Sequence, residues 1–213
     1  PVDTIKEIFK QIVSLQNGEL VVTDTGSTKE KIIKEIKEID KEKIFIGSHP
    51  MAGSEKSGFK NSDPDLFRGK KVIITPDEDT PDEIKNHVTQ FWQELGAVVT
   101  EVSPELHDEI TGLTSHTVHI VSSLLSHFLM EKEKYDGKYL SIYGNGLLDT
   151  TRVSMGDEEM WTSICKHNQD NLLKNLKQLK NKLNLMIESV NDLNLNDLKQ
   201  FFREARLFRE KFY

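Results

Sequence analysis

For its first hundred residues this chain alternates two periods. Short apolar runs of strand type are interleaved with stretches whose apolar residues return every three or four positions, and after Ser103 the short runs stop. Val2, Ile5, Ile8, Phe9, Ile12 and Val13 share one helical face, Asn17-Gly18 ends that helix, and Leu20-Val21-Val22 reads as a buried strand. A second helix carries Ile32, Ile33, Ile36 and Ile39 on its inner side, and Ile44-Phe45-Ile46 is the next strand. Residues 59–69 form a surface excursion, and Val72-Ile73-Ile74 a third strand. Thr80-Pro81-Asp82-Glu83 has the form of a capping box, opening a helix with Ile84, Val88, Phe91 (with Trp92) and Leu95 on one face, stopped by Gly96. Val98-Val99 is a last strand. Helix and strand in alternation predict a parallel α/β sheet over residues 1–102.

Ser103-Pro104-Glu105 opens a different regime, again a cap followed by proline at the first helical position. Leu172, Leu176, Leu179, Leu183, Ile187 and Val190 step by three and four, as do Phe201, Phe202, Ala205, Phe208 and Phe212 after an Asn-rich break at 191–196. Residues 103–213 therefore read as an all-helical domain, and apolar stripes this generous predict a homodimer built on them.

Composition closes off several alternatives. Charged residues are 30% and hydrophobic residues 36% of the 213, which suits a globular protein. A net charge of −7 disfavours a nucleic-acid partner held by its phosphates. Cys165 is the single cysteine, so no disulfide forms within the chain and a reducing compartment, the cytoplasm, is expected. No apolar run approaches the roughly 18 residues of a membrane helix.

The chemistry concentrates in four stretches. The first is Gly47-Ser48-His49-Pro50-Met51-Ala52-Gly53-Ser54-Glu55-Lys56-Ser57-Gly58, placed where a strand ends and a loop begins. Proline holds the preceding His49 in the extended region, and an imidazole so fixed at a sheet edge suits acid–base work near neutral pH. The others are Thr23-Asp24-Thr25-Gly26-Ser27-Thr28-Lys29, then Ser115-His116-Thr117-Val118-His119, then Asp149-Thr150-Thr151-Arg152 with Trp161 beyond. His116 and His119 share a helical face; a His-x-x-His pair can ligate zinc, but no Glu or Cys at supporting spacing joins them, so no metal is expected. Gly144-Asn145-Gly146 begins like a dinucleotide fingerprint but lacks its third glycine and a preceding strand, and reads as a turn.

In this order the four stretches resemble the prephenate dehydrogenase family, over almost the whole chain. The resemblance implies NAD- or NADP-linked oxidative decarboxylation of prephenate, or of its aminated relative arogenate, with tyrosine as a possible inhibitor. It implies His49 as the base for the ring hydroxyl and Ser27, a helix N-cap on the bland reading, as the residue that orients it beside the nicotinamide. It implies Arg152 as the grip on a substrate carboxylate, Ser115, His116 and His119 as substrate contacts, and Trp161 as a pocket wall. It also implies that Glu55 and Asp149 join Arg152 in an entrance ion network, and that Pro1, Gly26 and Ser27 lie on the cofactor side. The family's glycine-rich dinucleotide turn and first strands are expected ahead of Pro1, so the chain is expected to hold the later part of a Rossmann-like cofactor domain. Two other classes stay open: a non-enzymatic dimeric binder of prephenate or tyrosine, and another member of the wider hydroxyacid dehydrogenase group.

Overall fold

A computed structural model describes residues 2–15, 20–40, 44–52, 60, 62–136, 138 and 141–212. Strands β1 (Val22–Thr23), β2 (Phe45–Pro50), β3 (Lys71–Thr75) and β4 (Val98–Glu101) pair in chain order. Helices α1 (Ile5–Ser14), α2 (Glu30–Lys37) and α3 (Asp82–Glu94) alternate with them. From Pro104 onward the regular elements are helical: α4 (Pro104–Thr111), a π turn (Gly112–His116), α5 (Thr117–Asp136), α6 (Asn145–Thr151), α7 (Glu158–His167), α8 (Gln169–Asn191) and α9 (Leu195–Arg209). The α/β-then-helical plan of the sequence stands. No helix among the described residues is long and apolar enough to cross a membrane.

The sheet is mixed, and this corrects the expected all-parallel sheet. β1–β2 and β3–β4 are parallel, but β2 and β3 run antiparallel, with His49 opposite Ile73. A parallel neighbour needs a crossover, usually a helix. Between β2 and β3 the described residues hold only turns, so the chain can fold straight back.

Two apolar clusters support the sheet. Val2, Phe9, Ile32, Ile33, Ile36, Ile44 and Phe45 gather under α1 and α2. Ile46, Val72, Ile74, Val88, Trp92 and Ala97 gather under α3; of the face expected to point inward, Val88 and Trp92 are buried while Phe91 and Leu95 are exposed. Gly96 turns the chain out of α3 at φ +80°, a conformation that costs glycine little. The capping box at Thr80 does not form. Pro81 holds the cap position, and the Thr80 hydroxyl instead closes a turn by accepting from the Asp77 N–H at 2.9 Å. The Ser103 cap does form, its hydroxyl accepting from the Leu106 N–H at 3.2 Å. The break at Asn17-Gly18 lies outside the described residues.

The chain divides into two compact units, Pro1–Leu172 and Leu173–Tyr213. The second consists of the later part of α8 and of α9, joined through Leu193 at φ +49°. Asn194 caps α9, its side-chain oxygen accepting from the Asp197 N–H.

Candidate active site

The polar end of β2 is where the strand stops being only structural. The sequence places His49 in a loop; the structure places it within β2, which continues through Gly47, Ser48, His49 and Pro50. The extended conformation demanded by Pro50 is met by pairing to β3, a firmer mount than a loop. Behind it, buried polar bonds tie three elements together: Thr23 and Ser48 share a hydroxyl–hydroxyl bond of 2.6 Å, and Trp92 Nε1 donates to Ser48 Oγ at 3.0 Å.

Asp24, at the end of β1, accepts from the Gly26 and Ser48 N–H groups at 2.8 and 2.9 Å. It also pairs with the buried ammonium of Lys29. A charge with no exposed surface is tolerated in such a place only with a partner. The turn over Gly26 is tight because a Cβ there would lie 2.8 Å from both Asp24 and Ile5.

Helix α2 is capped from a distance, which removes Ser27 as its N-cap. The helix starts after Lys29, and Asp108 on α4 accepts from the Lys29 and Glu30 N–H groups at 2.8 and 3.0 Å. The neighbouring His107 touches Asp108 Oδ1 through Nδ1 at 2.7 Å and His49 Nδ1 through Nε2 at 2.8 Å. His107 and Asp108 are both fully buried. Burial pushes the His49 imidazole far down, to about 2, with His107, Lys29 and His116 adding repulsion.

The π turn carries the second group of residues. Thr117 Oγ1 donates to the Gly112 carbonyl at 2.6 Å, and Asn168 Nδ2 lies 3.1 Å from His116 Nδ1 while donating to the Asp108 carbonyl. Burial pushes His116 down to about 4. His119 stacks on Trp161 with ring centroids 3.4 Å apart and planes 9° from parallel. Gly156 makes that stack possible, since a Cβ there would lie 2.1 Å from Trp161 Nε1 and 3.1 Å from His119. Burial also lowers His119 from its ordinary value, opposed by a hydrogen bond to the Val153 backbone.

These residues enclose a cavity of about 480 Å³ whose wall includes Ser27, His49, Ser115, His116, His119, Arg152 and Trp161. A second cavity, about 420 Å³, runs along Val22–Ser27 and the apolar face of α1. Ser27 and Met160 line both cavities, and Gly26 lines the second. Asp149 is exposed on α6, outside the cavity lining among the described residues. Gly144-Asn145-Gly146, expected as a turn, caps and begins that same helix. Glu55 and Pro1 lie outside the described residues. Sequence reasoning missed His107, Asp108, Asn168 and Gly156; the adjacent His-Asp pair next to a capped helix start was the one signal available.

An imidazole, an arginine and two serines around one cavity, beside the strands of an α/β sheet, are the kinds of group that acid–base chemistry on an anionic small molecule requires. The comparisons specify it. Residues 1–101 match the nucleotide-binding domain of prephenate dehydrogenase and residues 103–204 its dimerization domain. Prephenate dehydrogenase of Bacillus subtilis is 30% identical over 193 residues, covering 90% of this chain and 52% of that protein. Cyclohexadienyl dehydrogenase of Zymomonas mobilis is 29% identical over 192 residues, covering 90% of this chain and 66% of that one. The structure of prephenate dehydrogenase from A. aeolicus, in complex with hydroxyphenyl propionate and NAD+, superposes with a TM-score of 0.93 at 33% identity, covering 100% of this chain and 74% of that one. The chain belongs to the prephenate dehydrogenase family, and spans between half and two thirds of the length of these curated relatives.

Proposed function

We propose that this chain carries the catalytic and substrate-binding residues of an NAD(P)-dependent prephenate dehydrogenase, acting in the cytoplasm as a homodimer. The reaction is oxidative decarboxylation of prephenate to 4-hydroxyphenylpyruvate, or of arogenate to tyrosine. The observation that carries this reading is one cavity lined by His49, Ser27, Ser115, His119, Arg152 and Trp161. Residues 1–102 serve the cofactor side, and 103–213 the substrate and the dimer.

The residues beside this cavity fit a nicotinamide. Gly26 and Ser27 line the groove along α1, and Ser27 also lines the His49 cavity, so the two spaces meet at this turn. When bound, the nicotinamide supplies the acceptor for a hydride from the ring carbon. His49 takes the proton of the ring hydroxyl. Arg152 holds a substrate carboxylate, since a guanidinium offers two parallel N–H bonds. Trp161, packed on His119, walls the pocket and keeps water from the reacting carbon. The hydroxyphenyl propionate bound by the A. aeolicus enzyme resembles product and tyrosine, which supports a ring pocket here and tyrosine as an inhibitor.

The test is absorbance of reduced nicotinamide with prephenate or arogenate and NAD or NADP. In a full-length version, His49→Asn should lower kcat by about 10²–10⁴, and Arg152→Ala should act mainly on KM. Reduction by this chain would mean that it assembles a cofactor site without the glycine-rich turn expected ahead of Pro1. Prephenate binding with no reduction would mean a substrate half separated from its cofactor half, and tyrosine binding with no coenzyme binding would favour a non-enzymatic binding module.

A further inference from the structure

Behind His49, two buried residues form a line whose bond directions can be deduced one at a time. Both carboxylate oxygens of Asp108 accept from fixed backbone N–H groups at the start of α2. The 2.7 Å contact between Asp108 Oδ1 and His107 Nδ1 is therefore a donation from His107. Taken as a neutral imidazole, with its one N–H on Nδ1, His107 carries a lone pair on Nε2. The 2.8 Å contact between His107 Nε2 and His49 Nδ1 is then a donation from His49. That leaves His49 Nε2 bare, and it is the ring nitrogen left for the cavity that His49 lines.

We propose that His107 and Asp108 are positioning residues: they hold His49 in the tautomer whose Nε2 lone pair accepts the substrate's hydroxyl proton, and they offset the charge that this creates. The inference rests on the reading of His49 as the base. As the hydroxyl O–H bond breaks, its electron pair becomes the new carbonyl, the C–H pair of the same carbon leaves as the hydride that a bound nicotinamide would accept, and the proton joins Nε2. The imidazolium then points its Nδ1–H at His107 with the Asp108 carboxylate beyond. That compensation matters because burial, the Lys29 ammonium and His116 oppose a charge on His49. Asp108 cannot swing away, because α2 pins both its oxygens. The arrangement follows the logic of a carboxylate that orients a histidine without taking its proton, with a second imidazole inserted between the two.

The decisive measurement is ¹⁵N NMR of histidine-labelled protein, which reads the tautomer without requiring turnover. Wild-type His49 should carry its proton on Nδ1 between pH 6.5 and about 8; an Nε2–H tautomer would overturn the proposal. His107→Leu should release that preference and lower kcat about 10²-fold with KM nearly unchanged. His107→Gln, whose side-chain carbonyl can stand where Nε2 stood, should restore the tautomer and most of kcat. Leu and Gln variants that behave alike, or a Leu variant with the wild-type tautomer, would reduce His107 to a packing residue. Should His107→Leu fail to fold, the wild-type tautomer and His107→Gln decide alone. A full-length version in which His49→Asn leaves turnover unchanged would sink the reading of His49 as a base, and the tautomer measurements on this chain would still settle the line behind it.

Discussion

Two histidines in this site, His49 and His116, are held neutral by burial, and that links the fold to pH. His116 titrates at about 4 in the folded chain against 6.5 when exposed, so the unfolded state binds a proton that the folded state refuses. The sign follows: this stabilisation is complete above pH 6.5 and is lost as pH falls through 4. For His116 alone it is worth roughly 3 kcal/mol, and His49 acts in the same direction. Denaturant midpoints should therefore drop steeply between pH 6.5 and 4, and a variant lacking the His116 imidazole should show a shallower slope. An unchanged slope would mean that His116 is protonated in the fold. Asp24 makes a larger demand, since its carboxylate faces the fully buried Lys29. Asp24→Ala would strand that ammonium and should cost about 3–5 kcal/mol in urea unfolding, far more than a surface ion pair.

Elements show what local pattern can and cannot predict. α1, α2 and α3 were legible because a 3.6-residue period needs no partner to be seen. β2 was read too short because Gly47, Ser48, His49 and Pro50 have no apolar signature, though they pair along β3 as regularly as any strand. Parallel and antiparallel neighbours share one period, so the β2–β3 reversal could not be read from side chains. Capping divided cleanly. Ser103 caps α4 as its sequence suggests, whereas Thr80 turns to Asp77 and α2 takes its cap from Asp108, 79 residues after Lys29. For the site, motif residues such as Ser27, His49 and Arg152 were legible, while His107 and Asp108 act through contacts that no spacing encodes. α4 carries both, so its cap bears on the site. Ser103→Ala should lower stability by about 1 kcal/mol and loosen the tie between His107 and His49, seen as faster amide exchange in α4. A helix that exchanges as slowly as wild type would show that tertiary contacts alone hold it.

At the scale of the whole molecule, the unit Leu173–Tyr213 poses the clearest question. Two helices can bury one shared stripe, yet Leu183, Ile187 and Val190 on α8, and Phe201, Phe202 and Phe208 on α9, all remain substantially exposed. Isolated exposed apolar residues are ordinary, but a concentration of this kind on one small unit marks an interaction surface. Most of it lies within the residues matched to the dimerization domain of the family. The dimer proposed above would cover this surface with a second copy of the chain, replacing solvent by like stripes across a two-fold axis. Light scattering at micromolar protein should then give twice the chain mass. Leu183→Asp combined with Phe202→Asp should reduce it to a monomer while leaving the His49 cavity able to bind prephenate. A monomeric wild type would mean that these stripes serve another partner. A variant that stays dimeric would move the interface to a different face, and the exposed phenylalanines of α9 would need their own explanation.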